Sequence, residues 1–301
     1  MIFQKSFPNF FSTPDREQIF YIKNFDQLDS QKPVLLFNYG LVCSMQHWEF
    51  QVKKFDELGF QILVHDYRGH FQSTGIQNLE KITFEQLSQD TFLLCEHLNI
   101  KKVIALGHSM GVNVTLEMAK NYPDLIEGMV LVSGTFLPVT DVMFDTNLME
   151  FIMPMAISIK NKFPAAFDKI WKTGGMNPVV RELIHLSGFN YQQVSKEFIE
   201  IYLNRLGQLG VDLFVQLFNQ MTSHSISHYL QKIEVPTLII GGLKDGVIPN
   251  HLQRKLATLI PESETYFLKT GSHVPQVDFP DFVNERIEIF FRQRFNLPSY
   301  G

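Results

Sequence analysis

Apolar runs alternate with helical patterns in two blocks of this chain. In the first block, runs rich in β-branched and aromatic residues fall at Gln18–Lys23, Val34–Asn38 and Gln61–His65, then at 103–106 and 129–132. Apolar positions at helical spacing occupy 47–58, 83–98 and 110–121. The second block has strand-like runs at 237–241 and 265–268, with helical patterns at 250–259 and 281–291. Runs that are apolar throughout, rather than alternating, need cover on both faces, and the helices between them supply it. The pattern predicts an α/β fold, a mostly parallel sheet doubly covered by helices. Asp278 ahead of Phe279-Pro280 predicts a capped start for the last helix.

Between the blocks, residues 136–230 follow a different rule. Helical periodicity dominates, as at 196–206 and 212–221, and no strand pattern occurs. Pro154, Pro164, Gly174-Gly175 and Gly188 break the segment. A stretch this long is more than a loop, so the reading is an inserted helical cap. The core then consists of residues 1–135 and 231–301. Phenylalanines and methionines crowd the insertion: Phe136, Phe144, Phe151, Phe163, Phe167, Phe189, Phe198, Phe214 and Phe218, with Met143, Met149, Met153, Met155, Met176 and Met221. Most should form the insertion's own core. Such side chains also make adaptable apolar pockets, and some are expected to line one.

Composition narrows the partners. A net charge of −5 gives no basic surface for a polyanion, which argues against nucleic acid. Two cysteines, Cys43 and Cys95, make no disulfide framework and have no metal-ligand spacing. No metal or cofactor is expected. The opening residues lack the apolar core of a secretory signal. Residues 143–159 carry Asp145, Asn147, Glu150 and Pro154, which rules out a membrane span. The expectation is a soluble, cytoplasmic chain of open oligomeric state.

The chemistry enters at residues 103–121. A strand pattern runs into Gly107-His108-Ser109-Met110-Gly111, and a helical pattern follows. Three fixed positions arise by chance about 0.1 times in a chain this long, so the strand–turn–helix setting carries more weight than the letters. A serine at a strained turn needs glycines two residues either side, where a side chain would clash. Its hydroxyl also needs a neighbouring base. His273, in the turn Thr270-Gly271-Ser272-His273 before the final helix, is the candidate. His108, as the elbow's second residue, is expected to pack away from the serine's open face.

In these features the chain resembles the α/β-hydrolase superfamily over about residues 32–135 and 233–292, the insertion excepted. The likeness rests on five stretches. They are the run from Val34 to Leu41 with Trp48 beyond, Asp66-Tyr67-Arg68-Gly69-His70 with Ser73, the elbow, Gly242-Leu243-Lys244-Asp245, and Gly271-Ser272-His273. The order nucleophile, acid, histidine is the order of that fold. The resemblance implies a Ser109–His273–Asp245 triad, with Asp141 the next acid to consider. It implies an oxyanion hole from the backbone N–H groups of Met110 and Leu41, although Tyr39 stands where related hydrolases place a histidine. Asp66, Arg68 and Ser73 then form a structural turn, and Cys43 is a packing thiol.

The expected activity is cleavage of a carboxylic ester with an apolar acyl or alkyl part through an acyl-serine. The same triad also serves C–C bond hydrolysis, peracid formation and acyl transfer. A small-ligand receptor on this fold is the non-catalytic alternative. Ser109 argues against the carboxylate-nucleophile branches of the superfamily.

Overall fold

The computed structural model describes residues 9–73, 78–138, 157–173 and 194–295. Eight strands form one sheet in the order β1-β2-β4-β3-β5-β6-β7-β8. They are β1 (Asn9–Ser12), β2 (Gln18–Lys23), β3 (Val34–Asn38), β4 (Gln61–His65), β5 (Val103–His108), β6 (Ile126–Val132), β7 (Thr237–Gly242) and β8 (Ser263–Leu268). The β1/β2 and β2/β4 pairs are antiparallel, and every other pair is parallel. The strand β1 is absent from the sequence reading. Its four residues are too few to show a period, and it exists by pairing with β2.

The parallel strands are apolar on both faces, and the pleat divides them between two layers. Leu35, Phe37, Ile104, Leu106, Val130 and Val132 face one cluster. Val34, Leu36, Val103, Ala105, Met129 and Leu131 face the other. The helices of the core are α1 (Glu49–Glu57), α2 (Phe84–His97) and α3 (Met110–Asn121). Three more follow the insertion: α7 (Asn250–Leu259), the short α8 (Pro275–Asp278) and α9 (Pro280–Phe295). A single 3-10 turn, Met45–Trp48, precedes α1, so the pattern at 47–58 is two elements. The Thr83 hydroxyl accepts from the Gln86 amide and starts α2.

The expected cap at Asp278 is corrected. That residue closes α8, and its carboxylate accepts from the Ser272 amide at 2.5 Å. A four-residue helix is too short to show a period, and it captures the side chain that a local pattern assigns to α9.

Within the insertion the described helices include α4 (Pro164–Thr173), α5 (Lys196–Gln208) and α6 (Val211–Ser223), and residues 157–162 are helical as well. The phenylalanines 144, 151 and 189, the methionines 143, 149, 153, 155 and 176, and Asp141, Pro154, Gly174 and Gly188 lie outside the described residues. Phe136 is buried within the core. Leu213, Leu217, Phe218 and Met221 of α6 join one of the two core layers. Phe198, Ile199 and Leu203 of α5 pack on Val274 and Val277, just past His273. Polar contacts bind the same seam. His224 reaches Glu117 at 2.9 Å and Asn113 at 3.0 Å on α3, and the Gln216 amide donates to the Ile82 carbonyl at 3.0 Å. Among the described residues, no helix is long and apolar enough to cross a membrane.

Candidate active site

Strand β5 lies inside the sheet between β3 and β6, and Ser109 leaves its C-terminal end where those neighbours also finish. Ligands of open α/β sheets bind at this edge. Ser109 has φ 54° and ψ −122°, a conformation that a non-glycine residue adopts at a cost of about 1–3 kcal/mol. The surroundings enforce it. A Cβ on Gly107 would meet the Gly111 carbonyl oxygen at 2.7 Å, and one on Gly111 would meet the Asn38 oxygen at 2.4 Å. Both glycines are therefore demanded by main chain that cannot yield.

The histidine and the acid arrive on two loops that clasp each other. The Lys244 amide donates to the Gly271 carbonyl at 2.9 Å, and a Cβ on Gly242 would sit 2.2 Å from that oxygen. His273 Nε2 is 3.0 Å from Ser109 Oγ, and its Nδ1 is 3.1 Å from each Asp245 oxygen. A carboxylate accepts, so Nδ1 carries the proton and Nε2 presents a lone pair to the serine. The Asp245 carboxylate is itself anchored by the Val247 and Ile248 amides, both at 2.9 Å, and by Gln253 Nε2 at 3.3 Å. Its side chain is fully buried, while that of His273 stays 12% exposed. The three expected residues are thus brought together as one hydrogen-bonded chain.

The loop after β3 passes directly over the serine. A Cβ on Gly40 would lie 2.8 Å from Ser109 Cβ, which leaves room only for backbone and carries the Gly40–Leu41 peptide against Ser109. Val42 follows at φ 62°, a strained turn for a β-branched residue. Neither the Leu41 amide nor that of Met110 at the start of α3 donates to a backbone acceptor among the described residues. Tyr39 has a structural occupation: its hydroxyl donates to Asp66 at 3.3 Å and accepts from the Tyr67 amide at 3.1 Å. The Tyr67 hydroxyl returns a bond to the Tyr39 carbonyl at 3.1 Å.

The turn after β4 braces the fold. Ser73 Oγ donates to the Asp66 carbonyl at 2.9 Å and accepts from the Phe20 amide at 3.0 Å. Arg68 forks onto buried Asp90 at 2.5 and 2.6 Å and reaches Asp15 at 3.0 Å. Sequence reasoning missed both of its carboxylate partners, because nothing local marks residues 22 and 53 positions away as neighbours. Burial raises the Asp66 carboxyl to about 6, and it lifts the thiols, Cys95 to about 12 and Cys43 higher still. Both cysteines are therefore held as inert thiols. No group of three or more metal-ligating side chains exists among the described residues.

The sheet order, the elbow and the acid and base loops together define the α/β-hydrolase fold. Within it the chain belongs to the serine aminopeptidase S33 family, whose sequence pattern matches residues 29–274. It is similar to the bifunctional esterase/perhydrolase DCH of Acinetobacter calcoaceticus, at 24% identity over 93% of this chain and 98% of that one. It is also similar to human protein ABHD8, at 22% identity over 85% of this chain, and spans about half (54%) of that relative's length. Among solved structures, a thermophilic esterase from Thermogutta terrifontis shares the fold with a TM-score of 0.75 at 21% identity, covering 96% of this chain and 99% of that one. The enol-lactonase from Burkholderia xenovorans LB400 does so with 0.76 at 19%, covering 94% and 99%.

Proposed function

We propose that this chain is a serine hydrolase that cleaves carboxylic esters with an apolar acyl or alkyl part, through an acyl-serine. The observation that carries the reading is the unbroken chain Ser109 Oγ, His273, Asp245, at 3.0 and 3.1 Å. His273 Nε2 takes the serine proton as Oγ attacks the ester carbonyl, and Asp245 stabilises the imidazolium that forms. The tetrahedral oxyanion is met by the Leu41 and Met110 amides, each donor contributing about 3 kcal/mol where such holes are tested. His273 then returns the proton to the leaving alcohol, and water repeats the cycle on the acyl-enzyme.

The division into a core of residues 1–135 and 231–301 with a cap at 136–230 supports the substrate class. The cap helices approach the site through apolar side chains, Phe198 and Leu203 of α5 against Val274. Relatives named esterase and lactonase share the same frame. The test is fluorophosphonate labelling with mapping of the modified residue, alongside p-nitrophenyl esters of increasing acyl length. Ser109→Ala is expected to abolish labelling and turnover with the fold intact. Each buried methylene should add about 0.8 kcal/mol, so two carbons change kcat/KM about tenfold until the pocket ends. Label found on another residue overturns the nucleophile, and a flat chain-length profile overturns the apolar substrate.

A further inference from the structure

We propose that His108 is a positioning residue, which holds the backbone of the base His273 and, through Cys43, ties it to the loop that carries Leu41. The proposal rests on the acyl-serine reading above and adds a role that the triad does not contain.

His108 is fully buried, and its Nε2 lies 2.9 Å from the main-chain oxygen of His273. A carbonyl oxygen can only accept, so the proton of this ring sits on Nε2. Nδ1 is then a lone-pair acceptor, and it faces Cys43 Sγ at 4.0 Å, where the thiol donates. Burial, followed by the nearby His273, holds the imidazole well below its ordinary pKa. A second proton, which would break the Cys43 arm, is excluded. The elevated thiol pKa keeps the hydrogen on sulfur from the other side.

These contacts meet at one place. The His108 ring lies 5.1 Å from that of His273, tilted by 52°. A Cβ on Gly40 would come within 3.2 Å of His108 Nδ1 as well as 2.8 Å of Ser109 Cβ. One ring, on the residue next to the nucleophile, therefore touches both loops that complete the site. Asp245 fixes how the His273 imidazole rotates. It does not fix how far the His273 backbone stands from Ser109, a span across 164 residues of sequence. His108 supplies that distance. Errors near 1 Å in such a distance cost about a hundredfold in rate, so the tie bears on turnover rather than on substrate binding.

The experiment compares the wild type with His108→Phe and His108→Gln on a single p-nitrophenyl ester, with fluorophosphonate labelling run on all three. Phenylalanine keeps the ring and removes both polar atoms. Glutamine returns an N–H at the reach of Nε2. His108→Phe is expected to lower kcat about tenfold to a hundredfold with KM within about twofold, and His108→Gln to recover most of the loss. Wild-type kcat in His108→Phe overturns the proposal, and so does an equal fall in both variants, which marks a packing role alone. Should the phenylalanine variant fail to fold, His108→Asn replaces it, because its shorter amide cannot span to the His273 carbonyl. Wild-type kcat in that variant is equally fatal. A wild type that takes no label fails the acyl-serine reading instead, and the two failures are thereby told apart.

Discussion

Around Ser109 the constraints are carried by backbone; in the insertion they are carried by side chains. Gly40, Gly107, Gly111 and Gly242 each have main chain or Ser109 itself within 3 Å of where a Cβ would stand. The acid and base loops are clasped by amide–carbonyl bonds. The cap instead meets the core through aliphatic and aromatic packing and a few polar latches, of which His224 to Glu117 and Asn113 is the best formed. Backbone-held geometry tolerates few residues and hardly drifts. Side-chain packing accepts many solutions of similar volume. On the proposed function, the chemistry belongs to the stiff region and the substrate selectivity to the region that can be repacked.

The sharpest way to break this contrast is at the acid. Asp245→Asn keeps an oxygen for the Val247 and Ile248 amides but loses the charge that orients His273, so kcat should fall by about 10⁴ with Tm nearly unchanged. Near-native turnover by that variant would put the acid elsewhere. Next in size is a pair of alanine substitutions. Gly111→Ala drives a Cβ to 2.4 Å from the Asn38 oxygen and should cost about 3 kcal/mol or more in urea unfolding. Gly210→Ala, at the entrance to α6, meets nothing within 4 Å and should stay within about 0.5 kcal/mol of wild type. Equal costs would erase the difference between the two regions.

Acid should also strike the core. Burial holds His47 and His65 down to about 3 and His70 to about 4, and it pushes His108 well below its ordinary value. Below the unfolded-state value of about 6.5 the unfolded chain takes up protons that the folded chain refuses, so stability falls as pH drops toward 4. Asp66, raised by burial to about 6, works the other way. The fold keeps its proton where the unfolded chain has released it, so stability rises as pH drops through 6. Asp90, also raised by burial, acts with Asp66, but the four histidines outnumber the two carboxyls, so the net change on acidification is a loss of stability. Urea midpoints at pH 5 and 7 read the effect, and equal midpoints would contradict it. A smaller effect than that of Gly111→Ala belongs to the latch. His224→Ala should cost about 1–3 kcal/mol and raise KM for long-chain esters, with kcat little changed. A kcat effect larger than the KM effect would move the latch into the chemistry.

The sequence showed most clearly what the backbone demands. The elbow was legible because glycine at 107 and 111 is a steric requirement, and His273 because its turn sits between the last strand and the last helix. Leu41 was placed only through its neighbours Gly40 and Trp48, and its role as a donor stays a proposal; Gly40, the residue before it, passes close to Ser109. What pattern could not reveal were contacts across long separations. The bond from His108 to the His273 carbonyl spans 165 residues, and the Arg68–Asp90 pair spans 22. The turn of Asp278 onto Ser272 escaped for a different reason, because a one-turn helix leaves no periodic trace.

The placement of the insertion also sets a timetable for synthesis. Ser109 and His273 are 164 residues apart. At about 5–20 residues per second, a ribosome delivers His273 about 8–33 seconds after Ser109. From the end of β6 until Thr237–Gly242 emerges, β6 has no β7 to pair with, and Val130, Leu131 and Val132 stand at an open strand edge of the kind that recruits other chains. The helices of the insertion are the next residues to emerge. The nascent chain therefore passes through a stage in which Ser109 is made, His273 is not, and the unpaired edge of β6 has only the insertion nearby to shield it.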